Sequence, residues 1–185
     1  MNIRLARPDD LKQLQRLEQT YLNDELSSSA QSQGLDGQSF GFKELERLIA
    51  EHWIVVAEQD NNEGGEIVGY VIAGGWHFFE SWPVYRNILR NMGDFSVNGT
   101  KLTKSNSCQY GPIWIKQSCR GQGIFEKLVN HLKLQVQPRF QFMLTFIAED
   151  NLASFTAHTN KASMQVLDFF TFDERDYYLL ALVTK

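Results

Sequence analysis

The most constraining stretch of this 185-residue chain is Tyr110 to Leu128, YGPIWIKQSCRGQGIFEKL. An apolar run from Ile113 to Ile115 reads as a buried strand. It enters a short polar turn, and Arg120, Gly121 and Gly123 stand where the periodic pattern of a helix begins. Free backbone N–H groups at a helix start, backed by the positive end of the helix dipole, hold an anion, and glycines let the backbone approach it closely. The helix, with Leu128, Val129, Leu132 and Val136 on one face, ends at Pro138, and a second apolar run follows from Phe140 to Ala148. Two strands joined by a helix form a right-handed crossover, so these two are expected to be parallel and buried on both faces.

The rest of the chain supplies the elements around that unit. Asn2 to Ala6 alternates as a short strand, and Pro8-Asp9-Asp10 starts a helix carrying Leu11, Leu14, Leu17 and Leu22 as its apolar stripe, with Tyr21 beside it. Residues 27–41 are rich in Ser, Gln and Gly and read as a long loop, of the kind that serves as a flap. A second helix is expected from Phe42 to Glu51. His52 to Glu58 and Glu66 to Gly75 read as an antiparallel hairpin around the turn Asp60 to Gly65. Residues 76–107 form an insert before the central strand: an aromatic-rich part with a helix after Pro83, then a polar, turn-rich part from Gly93. Asn151 to Lys161 reads as a short helix, and Met164 to Phe172 with Asp176 to Thr184 as a closing hairpin. The length suits one domain over residues 1–185.

Composition excludes several classes. A net charge of −4 with no basic cluster argues against nucleic acid as a partner. No apolar run approaches a membrane span and the N-terminus turns charged at once, so the expected setting is cytoplasmic, with no membrane partner. Cys108 and Cys119 are too few for a disulfide framework, and neither they nor the scattered histidines show metal-ligand spacing, so no metal is expected. Oligomeric state is open; a homodimer is compatible with all of this.

Two familiar phosphate loops fail on the glycine turn. A P-loop needs GxxxxGK[ST], which is absent, and a dinucleotide fingerprint needs a third glycine where Gly121-Gln122-Gly123 is followed by Ile124, Phe125 and Glu126. A tight turn whose glycines serve backbone geometry alone is the plain alternative. The whole run IWIKQSCRGQGIFEKL, however, resembles the acetyl-CoA binding segment of the GCN5-related N-acetyltransferases (GNAT): a strand, a few residues, then R-G-x-G-x and a helix. The order of elements along nearly the whole chain is similar to that family too. After the next strand, Asn151, Ser154 and His158 match its N-x-x-A/S pattern with Tyr or His seven residues beyond the Asn. Departures are Ser118 where Gln or Arg is common, Ala162-Ser163 in place of a Gly-Phe pair, and Phe146 where some relatives place a glutamate base.

The resemblance implies an α/β (α+β) fold: a single GNAT-like domain with a mixed central sheet of about seven strands, flanking helices and a splayed parallel strand pair at the cofactor site. It implies transfer of an acetyl group from acetyl-CoA, without a metal, to a primary amine of a small molecule or peptide by direct attack in a ternary complex. Ile113, Trp114 and Ile115 would run beside the pantetheine, where a backbone amide could also stabilise the oxyanion, an effect of about 3 to 4 kcal/mol elsewhere. Arg120, Gly121, Gln122, Gly123, Ile124, Phe125 and Glu126 would cradle the pyrophosphate, with Lys116 and Lys127 adding charge. Asn151 and Ser154 complete the cofactor side, although Asn151 also suits a plain helix cap. His158 is the candidate general acid for the thiolate and Glu149 a candidate base. The aromatic residues Trp76, Phe78, Phe79, Trp82, Tyr85, Tyr110 and Trp114, with Glu80, would suit a partly apolar amine, although core packing explains most of them. The alternative function is a non-catalytic acyl-CoA-binding regulatory module, which the missing glutamate favours.

Overall fold

The computed structural model describes residues 1–28, 40–61 and 64–185. Nine strands and six helices follow one another in these residues: β1 (Asn2–Leu5), α1 (Leu11–Ser28), α2 (Phe42–Glu51), β2 (Trp53–Asn61), β3 (Gly64–Gly74), α3 (Trp76–Phe79), α4 (Pro83–Asn91), β4 (Ser96–Val97), β5 (Thr100–Lys101), β6 (Ser107–Ile115), α5 (Ile124–Val136), β7 (Phe142–Ala148), α6 (Leu152–Thr156), β8 (Gln165–Phe172) and β9 (Arg175–Val183). Seven strands form one sheet in the order β1-β2-β3-β6-β7-β9-β8, while β4 and β5 form a separate small hairpin. Every neighbouring pair in the large sheet is antiparallel except β6 and β7. This is the mixed seven-stranded sheet expected from the sequence. The flap expected over residues 27–41 lies outside the described residues apart from the end of α1 and Phe40-Gly41.

Strand alternation sorts the core into two layers. Ile54, Val56, Tyr70, Ile72 and Trp114 face α1, α2 and α4, where Leu14, Leu45, Leu48, Tyr85 and Ile88 meet them. Val55, Ala57, Val71, Ala73, Cys108 and Tyr110 face the apolar stripe of α5, Leu128, Val129, Leu132 and Val136. At the sheet edge, the Arg4 guanidinium joins Asp10 at 2.7 Å and Glu58 at 2.9 Å, tying β1 to β2 and to the turn that starts α1.

The insert is mostly core. Trp76, Phe78, Phe79 and Tyr85 are buried, with Trp82 packed against them. The central strand also begins earlier than its apolar run suggested. Ser107, Cys108 and Gln109 are already in β6, the Ser107 hydroxyl accepting from Trp76 Nε1 at 3.1 Å and donating to the Thr103 carbonyl at 2.6 Å.

One buried carboxyl stands beneath the first layer. Glu18 on α1 accepts the Phe40 N–H at 3.3 Å and the hydroxyl of Tyr70, which stacks on Trp114. Burial raises its pKa from 4.5 to about 7, against the pull of those two hydrogen bonds. The folded chain therefore holds this proton where the unfolded chain has lost it, and the contribution to stability falls as pH rises from 4.5 to about 7. Glu18→Gln, whose Oε1 can accept the Phe40 N–H while its Nε2 donates to the Tyr70 hydroxyl oxygen, is expected to stabilise the chain by about 2 kcal/mol at pH 8 and to gain nothing at pH 4.5, read from urea unfolding at the two values.

Candidate active site

The site forms where β6 and β7 part. Their parallel pairing covers Ser107↔Phe142, Cys108↔Met143 and Gln109↔Leu144 and then stops. Beyond it the two strands splay, and a cleft of about 450 Å³ opens between Tyr110 to Ile115 on one side and Thr145 to Ala148 on the other. A bulge helps to shape that wedge. Ala73 on β3 pairs with Tyr110 and Val71 with Ile113, so a single residue of β3 opposes both Gly111 and Pro112. The extra residue re-aims the strand, and Tyr110 and Ile113 end on the same face, towards α5.

At its end β6 passes through a tight turn, Gln117–Cys119, into the start of α5. Gly121 and Gly123 have φ of +77° and +74°, a region that costs other residues about 1–2 kcal/mol, and a Cβ at either would point into open space. Gly123 is the N-cap of α5 and no side chain caps the helix, so its first amides face the cleft unpartnered within the helix. An uncapped helix start beside open space is a cradle for an anion. Arg120 lines it, its Nε donating to the Ile115 carbonyl at 3.0 Å.

The structure brings together most of the residues expected from sequence. Ile113, Trp114, Ile115, Arg120, Gly121, Gly123, Ile124, Phe125, Glu126, Asn151, Ser154 and His158 all line the cleft. Gln122 does not; its side chain turns back to the Ser118 carbonyl at 3.3 Å. Glu149 does not either. It is exposed just past the end of β7, outside the cleft lining, as its opposite strand parity to Phe146 foreshadows. Phe146 itself packs among Tyr85, Phe170 and Tyr177.

Asn151 caps α6, its Oδ1 accepting from Ser154 N at 3.1 Å. The helix then widens into a π turn over Ala157–Lys161, a distortion that often marks functional positions, and this turn carries His158 inward. His158 is 3% exposed. Its Nδ1 lies 2.7 Å from the Ser154 carbonyl, which only accepts, so Nδ1 bears the ring hydrogen and Nε2 accepts the Tyr110 hydroxyl at 3.1 Å. Burial lowers the His158 pKa to about 4, a shift that the Ser154 carbonyl partly offsets. At neutral pH the ring is uncharged and presents no proton to the cleft. Burial raises the Tyr110 pKa, so its hydroxyl stays protonated.

A lowered histidine pKa has a thermodynamic sign. Below 6.5 the unfolded chain takes up a proton that folded His158 refuses until about pH 4, so its contribution is full above 6.5 and lost as pH falls to about 4. The loss amounts to at most about 3 kcal/mol. His158→Gln is expected to flatten that part of the stability-pH curve, measured by urea unfolding between pH 7 and 4.

Sequence reasoning missed Thr145, Tyr177 and Lys161, all of which line the cleft. Thr145 is the one hydroxyl in the run FQFMLTFIA, and Lys161 follows His158 by three residues; both were weak signals. Lys161 meets Glu126 at 3.4 Å across the mouth of the cradle. Among the described residues Glu126 is the one carboxylate lining the cleft.

No family model and no curated sequence matches this one. Solved structures do. Over 98% of both chains it is similar to Arabidopsis thaliana NAA60 in complex with acetyl-CoA, at a TM-score of 0.63 and 13% identity. Salmonella typhimurium yncA, a putative acetyltransferase with its cofactor acetyl-CoA, gives a TM-score of 0.63 at 15% identity, over 100% of this chain and 94% of that one. A GNAT family acetyltransferase from Streptococcus agalactiae gives 0.65 at 15% identity, over 100% and 95%. The chain has the GNAT acetyltransferase fold, as its element order and glycine turn led us to expect.

Proposed function

We propose that the chain is an acetyl-CoA-dependent N-acetyltransferase acting on a primary amine. The observation that carries this reading is the continuity of the wedge between β6 and β7 with the uncapped start of α5: one cleft offers strand edges for a peptide-like arm and helix amides for its phosphates. The amides of residues 121–126 hold the pyrophosphate, and Arg120 and Lys161 lie close enough to the cradle to add positive charge. Pantetheine runs along Ile113 to Ile115. The thioester then lies beyond that stretch, towards Tyr110 and the narrow end of the splay.

The neutral amine attacks the thioester carbon, the N–C bond forms, and the C–S bond breaks. As the C–S bond breaks, the Tyr110 hydroxyl turns from His158 Nε2 to the departing sulfur and stabilises its negative charge by a hydrogen bond; the thiolate leaves and takes its proton from solvent, which also receives the proton that the nitrogen sheds. His158 is thereby a positioning residue: its Nε2 holds the Tyr110 hydroxyl and its Nδ1 is fixed by Ser154. Tyr21, Tyr85, Phe146 and Tyr177 give the cleft aromatic walls, which supports an acceptor with an apolar body. With Phe146 where a base would stand, the amine has to arrive deprotonated, so the rate is expected to rise with pH through the pKa of the acceptor itself.

A second reading, a non-catalytic acyl-CoA-binding module, is favoured by that same Phe146 and by the pairing of Glu126 with Lys161. One assay separates the two: thiol release from acetyl-CoA across a panel of primary amines. Amine-dependent release supports the enzyme, saturable CoA binding without release supports the module, and absence of CoA binding overturns both.

A further inference from the structure

A cluster away from the cleft remains without a role. Glu51 closes α2, His52 follows it as the C-cap, and His77 lies in α3. They meet at the end of the sheet where Trp53 pairs with Ala73, whereas the glycine turn follows Ile115 at the other end of β6. One ligand atom from each of the three residues lies within 4.8 Å of the other two.

We propose that Glu51, His52 and His77 form a site for a divalent transition metal, zinc above all. Two imidazoles and a carboxylate are a borderline donor set that suits zinc, leaving a fourth position for water. Two imidazoles on one tetrahedral zinc, with zinc–nitrogen bonds of about 2.0–2.1 Å, hold their ring centres about 5 Å apart. His52 and His77 stand 5.0 Å apart, tilted by 46°. Gly75 makes that approach possible, because a Cβ there would meet His77 Nδ1 and Cε1 at 3.1 Å and His52 Cε1 at 3.7 Å.

The second observation is independent of the clustering. His52 is 7% exposed, and its Nε2 is buried without any hydrogen-bond partner. A buried polar atom left unpaired costs about 1–3 kcal/mol, and a metal ion at Nε2 gives that atom a partner. Coordination moves the ring hydrogen to Nδ1, so the long 3.3 Å contact that Nδ1 accepts from Gly75 N–H is lost and that donor is left unpaired, a cost that the metal–nitrogen bond has to outweigh. Glu51 exchanges Arg47, 3.0 Å away, for the metal, and both of those side chains are about half exposed, so the exchange costs little. Bound zinc would clasp the end of α2 to the junction of β3 and α3.

The test is zinc titration of the untagged, metal-free chain by calorimetry, with thermal unfolding in parallel. Uptake of one zinc ion per chain and a melting temperature that rises with free zinc are expected. His77→Ala, at an exposed position that leaves the core intact, should weaken uptake by at least about tenfold. Gly75→Ala, which retains all three ligands but crowds the rings, should weaken it too, whereas His131→Ala on α5 should not. No uptake by the native chain, or uptake undiminished in His77→Ala, overturns the proposal.

Discussion

Gly123→Trp is expected to weaken acetyl-CoA binding at least a hundredfold while leaving the chain folded. Gly123 has φ of +74° and is the uncapped N-cap of α5, with nothing within 4 Å of where a side chain would start. The added backbone strain is about 1–2 kcal/mol, a fraction of the stability of a domain this size. An indole there fills the space in front of the first helical amides, the same space that a pyrophosphate requires. Calorimetric titration of both proteins with CoA, with melting curves as the control for folding, measures the effect. Binding within threefold of the native chain would mean that the glycine turn is not the phosphate cradle.

Tyr110→Phe is expected to lower kcat by about 10²–10³ with KM little changed, the range for loss of one positioned hydrogen-bond donor to developing charge. The hydroxyl is held 3.1 Å from His158 Nε2 on the wall of the cleft. Its removal leaves Nε2 buried without a donor, so a stability loss of about 1–3 kcal/mol should accompany it. His158→Ala should lower kcat through the same hydroxyl, now free to rotate. The two effects should fail to add in the double variant, because the residues act as one unit. A Tyr110→Phe protein with native kcat would mean that another group stabilises the departing thiolate.

Local features of this site were legible in the sequence, and long-range ones were not. The glycine turn, the stripe of α5 and the cap at Asn151 each depend on residues within a few positions of one another, and the fold keeps all three. Parallel pairing of the two apolar runs followed from the helix that joins them, the kind of crossover that parallel strands require. The contact between Tyr110 and His158 spans 48 positions and depends on both a strand bulge and a π turn, neither of which leaves a periodic trace. The sequence alone therefore points to His158 as the candidate acid and leaves its tyrosine neighbour out of sight.

The insert illustrates a different limit. Its aromatic residues are as compatible with a substrate wall as with a core, because apolar burial and apolar binding select the same side chains. Only their neighbours decide: Phe79 packs on Phe40, Phe78 and Tyr85, while Tyr85 alone of the insert also lines the cleft. The polar start of β6 was hidden for the converse reason. Ser107 and Gln109 look like loop residues until Trp76 Nε1, the Thr103 carbonyl and the Tyr110 carbonyl supply their hydrogen bonds.

The proposed function puts the thioester of acetyl-CoA in the wedge between β6 and β7. Calorimetric titration of the native chain with acetyl-CoA tests it most directly. Saturable binding of one molecule with a Kd between about 1 μM and 1 mM is expected. No binding at millimolar acetyl-CoA would contradict it.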